Sequence, residues 1–119
     1  MEYKLFENFS ILYVEDDEIL RLEANSVVGK YFKKFDVAKD GEEALKLYLP
    51  KKYDMVISDI TMPNINGVEL VRQIKNFYPK QKIIITSSSE DSKHIIDLIN
   101  IGVNKFLPKP MNYKQLLEY

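Results

Sequence analysis

The segment Tyr53-Asp54-Met55-Val56-Ile57-Ser58-Asp59-Ile60-Thr61-Met62-Pro63 carries an apolar run, Met55 to Ile57, that has no helical spacing, meets Ser58 and Asp59, and is broken by Pro63. Such a run fits a strand buried on both faces of a parallel sheet. Asp59 then falls at the carboxyl end of that strand. Open parallel α/β sheets leave their ligand crevice outside those ends, so a carboxylate delivered there is placed for chemistry. Taken alone, Asp59 suits the capping of the following turn equally well.

Working outward, short apolar runs alternate with helical patterns. Ser10–Val14 predicts a first strand running into the acidic cluster Glu15, Asp16, Asp17 and Glu18. Leu20, Ala24, Val27, Val28 and Tyr31 then recur at the spacing of one helical face, with Asp17 suited to cap the start. Residues 35–38 form a weaker second strand. Asp40-Gly41-Glu42-Glu43 has the acid-x-x-Glu form of a helix start, with Ala44, Leu45 and Tyr48 as its buried stripe and Pro50 as its stop.

Beyond the central strand, Asn66 with Glu69 predicts a cap for a third helix through Leu70, Val71, Ile74, Phe77 and Tyr78, closed by Pro79. Lys82–Ser87 gives a fourth strand, Ile95, Leu98, Ile99 and Gly102 a fourth helix, residues 105–107 a fifth strand, and residues 112–119 the opening of a fifth helix. Five such βα units argue for an α/β sandwich, a parallel sheet wound on both faces with right-handed crossovers. Phe32, Phe35, Phe77 and the tyrosines are expected to pack, and His94, the only histidine, to lie on the exposed face of the fourth helix.

The 119 residues are 45% apolar and carry no cysteine, enough for one core without disulfides or thiolate metal sites. Seventeen basic and eighteen acidic residues nearly cancel, so no nucleic-acid surface is announced. No apolar run has the length of a signal peptide core or a membrane span, and a cytoplasmic domain is expected. Without repeats or a Gly/Ser-rich linker, residues 1–119 are expected to form a single domain. The short fifth helix suggests a piece excised from a longer protein.

The fold places Glu15 and Asp16 after strand one, Asp59 after strand three, Ser87 after strand four and Lys109 after strand five. Three carboxylates in one crevice repel, and a hard divalent cation such as Mg²⁺ resolves the repulsion with oxygen ligands while leaving positions for water or phosphate. A carboxylate nucleophile can form an aspartyl-phosphate, for which the protein supplies mainly positioning and positive charge. The first strand is followed by Glu-Asp-Asp and not by a Gly-rich loop, so no nucleotide cradle is visible. Separately, the acidic cluster suits a solvated helix cap and Lys109 a surface turn; their joint occurrence at strand ends is the specific signal.

These residues resemble the receiver domain of two-component response regulators over essentially the whole chain. The resemblance rests on Ile11-Leu12-Tyr13-Val14-Glu15-Asp16-Asp17, Asp40-Gly41-Glu42-Glu43-Ala44-Leu45, the Asp54 to Pro63 segment, Asn66-Gly67-Val68-Glu69-Leu70, Ile83-Ile84-Ile85-Thr86-Ser87, and Gly102-Val103-Asn104-Lys105-Phe106-Leu107-Pro108-Lys109-Pro110. It implies a flavodoxin-like sheet of order 2-1-3-4-5. It implies that Asp59 accepts phosphate from a phosphohistidine on a sensor histidine kinase or phosphotransfer protein, and that Asp16, Asp59 and the backbone carbonyl of Thr61 bind Mg²⁺, with Glu15 acting through a metal-bound water. Ser87 is then the switch hydroxyl, Lys109 the cationic partner, and Phe106 the switch aromatic. Arg21 matches a basic position five residues beyond Asp16, which assigns the acidic pair as Glu15 and Asp16.

The same resemblance implies a cis Lys109-Pro110 bond and a responsive surface of fourth helix, fifth strand and fifth helix. That surface would address an effector and admits a phosphorylation-dependent dimer. The domain would promote its own phosphorylation and dephosphorylation without being an enzyme in the usual sense. Ser88 stands where the family commonly has Ala, and Pro108 where an apolar residue is usual. Thr61 and Ser89, neither acid nor amide, predict a long-lived phosphoryl group. A Mg²⁺-dependent phosphatase of the aspartyl-phosphate type would usually carry an acid where this chain has Thr61. A fold-only interaction module would have no need to fill every reactive position.

Overall fold

The computed structural model describes residues 6–88 and 92–117, so Ser89 lies outside the described residues, as do the ends of the chain. The order is β1 (Ser10–Val14), α1 (Glu18–Val27), β2 (Lys34–Ala38), α2 (Gly41–Leu47), β3 (Met55–Asp59), α3 (Gly67–Phe77), β4 (Lys82–Ser87), α4 (Ser92–Ile101), β5 (Lys105–Pro108) and α5 (Tyr113–Leu117). All pairings are parallel and the five strands run β2-β1-β3-β4-β5. This is the expected doubly wound α/β fold.

Strand alternation explains why the apolar runs are continuous. Leu12 and Val14 of β1, Val56 of β3, and Ile83 and Ile85 of β4 face a core completed by α2, α3 and α4. Their neighbours Ile11, Tyr13, Met55, Ile57 and Ile84 face a second core closed by Ala24 and Val28 on one side and Leu116 and Leu117 on the other. With both faces covered, each strand position must be apolar until the strand leaves the helical layers. There the sequence turns polar, at Glu15, at Ser58 and Asp59, and at Thr86 and Ser87.

The helix starts are those the sequence predicts. Asp17 accepts from Leu20 N at 3.1 Å, Asp40 from Glu43 N at 2.8 Å and Asn66 from Glu69 N at 3.0 Å. Each satisfies an amide that the first helical turn leaves without a partner. Pro108 is tolerated because it is exposed on the edge strand β5, next to a backbone bond from Lys109 N to Ser87 O of 2.9 Å.

Several packing expectations need correction. The α1 helix stops at Val27, which is exposed, and Tyr31 sits in a separate 3-10 turn over Gly29–Tyr31. Phe77, expected to pack, is 61% exposed at the end of α3, and Ile99 faces solvent while Leu98 takes the core position. Phe32 and Phe35 do pack, with Phe32 5.4 Å from Phe6 and 5.9 Å from Phe35 between ring centroids. His94, expected to be exposed, is half-buried.

Candidate functional site

The site lies where β1 and β3 run out beside the edge formed by β4 and β5. Asp59, the last residue of β3, is buried, with Oδ1 accepting from Ile60 N at 2.8 Å and Oδ2 held 2.9 Å from Lys109 Nζ. The same ammonium lies 3.4 Å from Glu15 Oε1. Glu15, the residue after β1, is held by both its backbone and its side chain. Its carbonyl accepts from Arg21 Nη1 at 2.8 Å, and its Oε2 accepts from Asp17 N at 3.1 Å. Arg21 therefore orients the acidic loop without neutralising its carboxylates.

Glu15, Asp16 and Asp59 bring carboxylate oxygens within 4.8 Å of one another. Glu15 and Asp59 are buried and Asp16 is exposed, so the cluster opens to solvent on one side. Against three carboxylates stands one lysine, a formal charge of −2 if all are ionised. Burial and the neighbouring Asp59 charge push the Glu15 carboxyl up to about 7 against the opposing Asp17 amide, and burial also raises Asp59 against the pull of Lys109. Burial alone would lower Lys109, but its bond to Asp59 and the charges of Asp59 and Glu15 leave it raised. Such mutual strain favours a cation.

Two buried atoms at this end lack a hydrogen-bond partner among the described residues, Glu15 Oε1 and Thr86 Oγ1. Thr86 pairs in register with Asp59 across β3 and β4. Glu15 Oε1, which faces the Lys109 ammonium at 3.4 Å and accepts no hydrogen bond among the described residues, and the close carboxylate oxygens fit a Mg²⁺ ion and its waters.

A cavity of about 600 Å³ opens over Asp59 and is lined by Asp16, Asp59, Thr61, Ser88 and Lys109 together with residues not expected at the site, notably Asn66, Lys93 and His94. Expected residues divide accordingly. Asp16, Asp59, Thr61 and Lys109 share the cavity; Glu15 lies just behind it; Ser87 is half-buried at the end of β4, with Ser88 forming the wall. Phe106 packs against the core on the α2–α3–α4 side. The Lys109-Pro110 bond is cis, as expected.

Gly67 is a further residue whose part the sequence hid. A Cβ there would meet the Asp59 carbonyl oxygen at 2.3 Å, and its own N–H donates to Ile60 O at 2.6 Å. Only glycine lets the start of α3 press on the residue that presents the carboxylate.

Fold and site together define a doubly wound α/β domain with an acidic, lysine-flanked crevice at the carboxyl ends of its strands. Residues 11–119 match the response regulator receiver domain, and the chain belongs to that family. It is 30% identical over 109 residues to the chemotaxis protein CheY of Thermotoga maritima, covering 91% of both chains. It is 36% identical over 110 residues to the response regulator ArlR of Staphylococcus epidermidis, of which it spans 49%, and it spans only 14% of the sensor protein ArcB of Escherichia coli, at 30% identity. Among solved structures, the N-terminal domain of an uncharacterized Wolinella succinogenes protein superposes with a TM-score of 0.86 at 35% identity, covering 92% of this chain and 89% of that one. A Pseudomonas putida response regulator receiver protein gives 0.80 at 27%, covering 93% of each. Among the described residues no helix is long and apolar enough to cross a membrane.

Proposed function

We propose that this receiver domain is a phosphorylation-dependent switch in which Asp59 accepts a phosphoryl group from a phosphohistidine on a sensor histidine kinase or phosphotransfer protein. The observation that carries this reading is one buried carboxylate, Asp59, held 2.9 Å from a lysine and within 4.8 Å of two further acids, at the floor of an open cavity. Asp59 attacks phosphorus while Lys109 offsets charge on the transferred group. Asp16, Asp59 and the Thr61 carbonyl would hold Mg²⁺, with Glu15 acting through a bound water. When bound, the ion supplies positive charge to the phosphoryl oxygens and relieves the repulsion among the acids.

The phosphoryl group carries about 1.5 to 2 negative charges in place of the single charge of the Asp59 carboxylate. Ser87 and Lys109 turn toward it, Phe106 follows, and the surface of α4, β5 and α5 changes for an effector or a second copy. The domain works in the cytoplasm and promotes its own phosphorylation and its reversal. The share of ArlR and ArcB that the chain spans supports a place within a longer protein, while the match to CheY supports a free-standing one.

The test is intact-mass measurement after incubation with phosphoramidate and Mg²⁺. The native chain takes up one acid-stable, base-labile phosphoryl group and Asp59→Asn takes none. Uptake by Asp59→Asn at the native rate would move the acceptor elsewhere.

A further inference from the structure

The cavity over Asp59 is wider than a phosphoryl group requires. At about 600 Å³ it has room for the rest of a small donor, and Lys93 and His94, from the first turn of α4, form part of its wall. Lys109 is already engaged by Asp59 and Glu15. Among the described residues no ion pair engages Lys93. The first turns of α1, α2 and α3 each carry an acid, whereas that of α4 carries none.

In-line transfer fixes where the rest of the donor must go. Asp59 attacks from the floor, so the departing group leaves on the far side of phosphorus, out into the cavity. We propose that Lys93 and His94 form a leaving-group subsite that suits the domain to small acyl phosphates. This rests on Asp59 being the phosphoacceptor. As the bond from Asp59 Oδ to phosphorus forms, the bond from phosphorus to the acyl oxygen breaks and its electron pair leaves on that oxygen. The product is a carboxylate that needs no proton near neutral pH. The Lys93 ammonium offsets the charge that develops there and an imidazole N–H of His94 donates to it. The leaving group of phosphoramidate is an amine that departs neutral, with its proton already in place, and it draws no such help.

The two donors therefore separate this subsite from general attraction of phosphate. Rates of Asp59 phosphorylation would be followed by intact mass with acetyl phosphate and with phosphoramidate, both with Mg²⁺, for the native chain and for a Lys93→Gln, His94→Asn double variant. Thermal melting would confirm that the variant is folded. The ratio of kcat/KM for acetyl phosphate over phosphoramidate is expected to fall about tenfold in the variant, the loss of a charge-assisted contact. Lys93→Arg should keep most of the native ratio. An unchanged ratio, whether both rates fall together or neither does, overturns the subsite, as does a native chain that accepts phosphoramidate but not acetyl phosphate. If neither donor modifies the native chain, or if Asp59→Asn is modified as readily, it is the acceptor assignment that fails, and the subsite with it.

Discussion

The two ends of the sheet treat buried polar groups in opposite ways. At the amino ends of the strands Gln81 is 1% exposed and its side chain is fully used: Tyr48 Oη donates to it at 2.6 Å, and its Nε2 donates to the carbonyls of Tyr53 and Lys82, each at 3.2 Å. Nearby, the Asp54 carboxylate accepts from Ser10 N at 2.7 Å. At the carboxyl ends Glu15 Oε1 and Thr86 Oγ1 have no hydrogen-bond partner among the described residues, and three carboxylates crowd one lysine. A polar group buried with partners costs little, and one buried without them destabilises the fold. One end therefore secures the structure, and the other keeps its bonding capacity for ligands the fold does not contain.

Removing Gln81 should produce the largest loss of stability. Gln81→Ala leaves the Tyr48 hydroxyl and the Tyr53 carbonyl buried without their present partner and opens a void, at a cost of about 2–4 kcal/mol. Chemical denaturation would measure it. Phosphoryl uptake by the folded fraction should stay native, because the two ends share no polar contact. A variant of native stability would show that the network at the amino ends contributes nothing, and the contrast would collapse.

Acting on the other end, Asp16→Asn should weaken Mg²⁺ binding by about tenfold, the loss of one charged ligand from an exposed position. Stability should hardly change. A Mg²⁺ titration of both proteins decides it, and unchanged affinity would show that Asp16 is not a ligand.

Metal-free protein should show the strain among the carboxylates as a pH dependence. Glu15 titrates at about 7 in the fold against an ordinary 4.5. Between those values the folded chain holds a proton that the unfolded chain has released, so stability falls as pH rises through the window. Asp59 is shifted in the same direction. Melting temperatures in chelating buffer should drop from pH 5 to pH 7.5, and Glu15→Gln should flatten the slope. A slope that Glu15→Gln leaves untouched would place the strain elsewhere.

The sequence made the carboxyl end legible because strand ends are marked there by an abrupt change from apolar runs to acids, hydroxyls or lysine. The joint occurrence of acids, a hydroxyl and Lys109 at strand ends carried that reading, while the choice of Glu15 and Asp16 over Asp17 came from the family resemblance through Arg21. The caps were equally legible, since an Asp or Asn three residues before the amide that donates to it is a local pattern. What escaped were facts that local spacing does not contain. Phe77 and Ile99 satisfy the helical period, but whether another element covers them depends on how the helices lie on the sheet. Gly67 looks like an ordinary loop glycine until the Asp59 carbonyl is found where a Cβ would stand. His94 shares a helix with solvent-facing Ile96 and Ile99, and only the placement of α4 in the fold brings it to the cavity.

The smallest effect concerns how long the phosphoryl group lasts. Thr61 is exposed, lines the cavity with Asp59 and carries neither an acid nor an amide. Hydrolysis needs a water held in line with the bond to Asp59, and a hydroxyl side chain is a poor guide for it. Thr61→Asn places an amide at the cavity wall and should shorten the phosphoryl lifetime several-fold, with stability and uptake rate little altered. The decay of the phosphorylated mass after donor removal would measure this. His94 shares the wall and offers a competing means of orienting water. Should Thr61→Asn leave the lifetime unchanged while His94→Asn lengthens it, the timing of the switch would belong to α4 and not to the loop after β3.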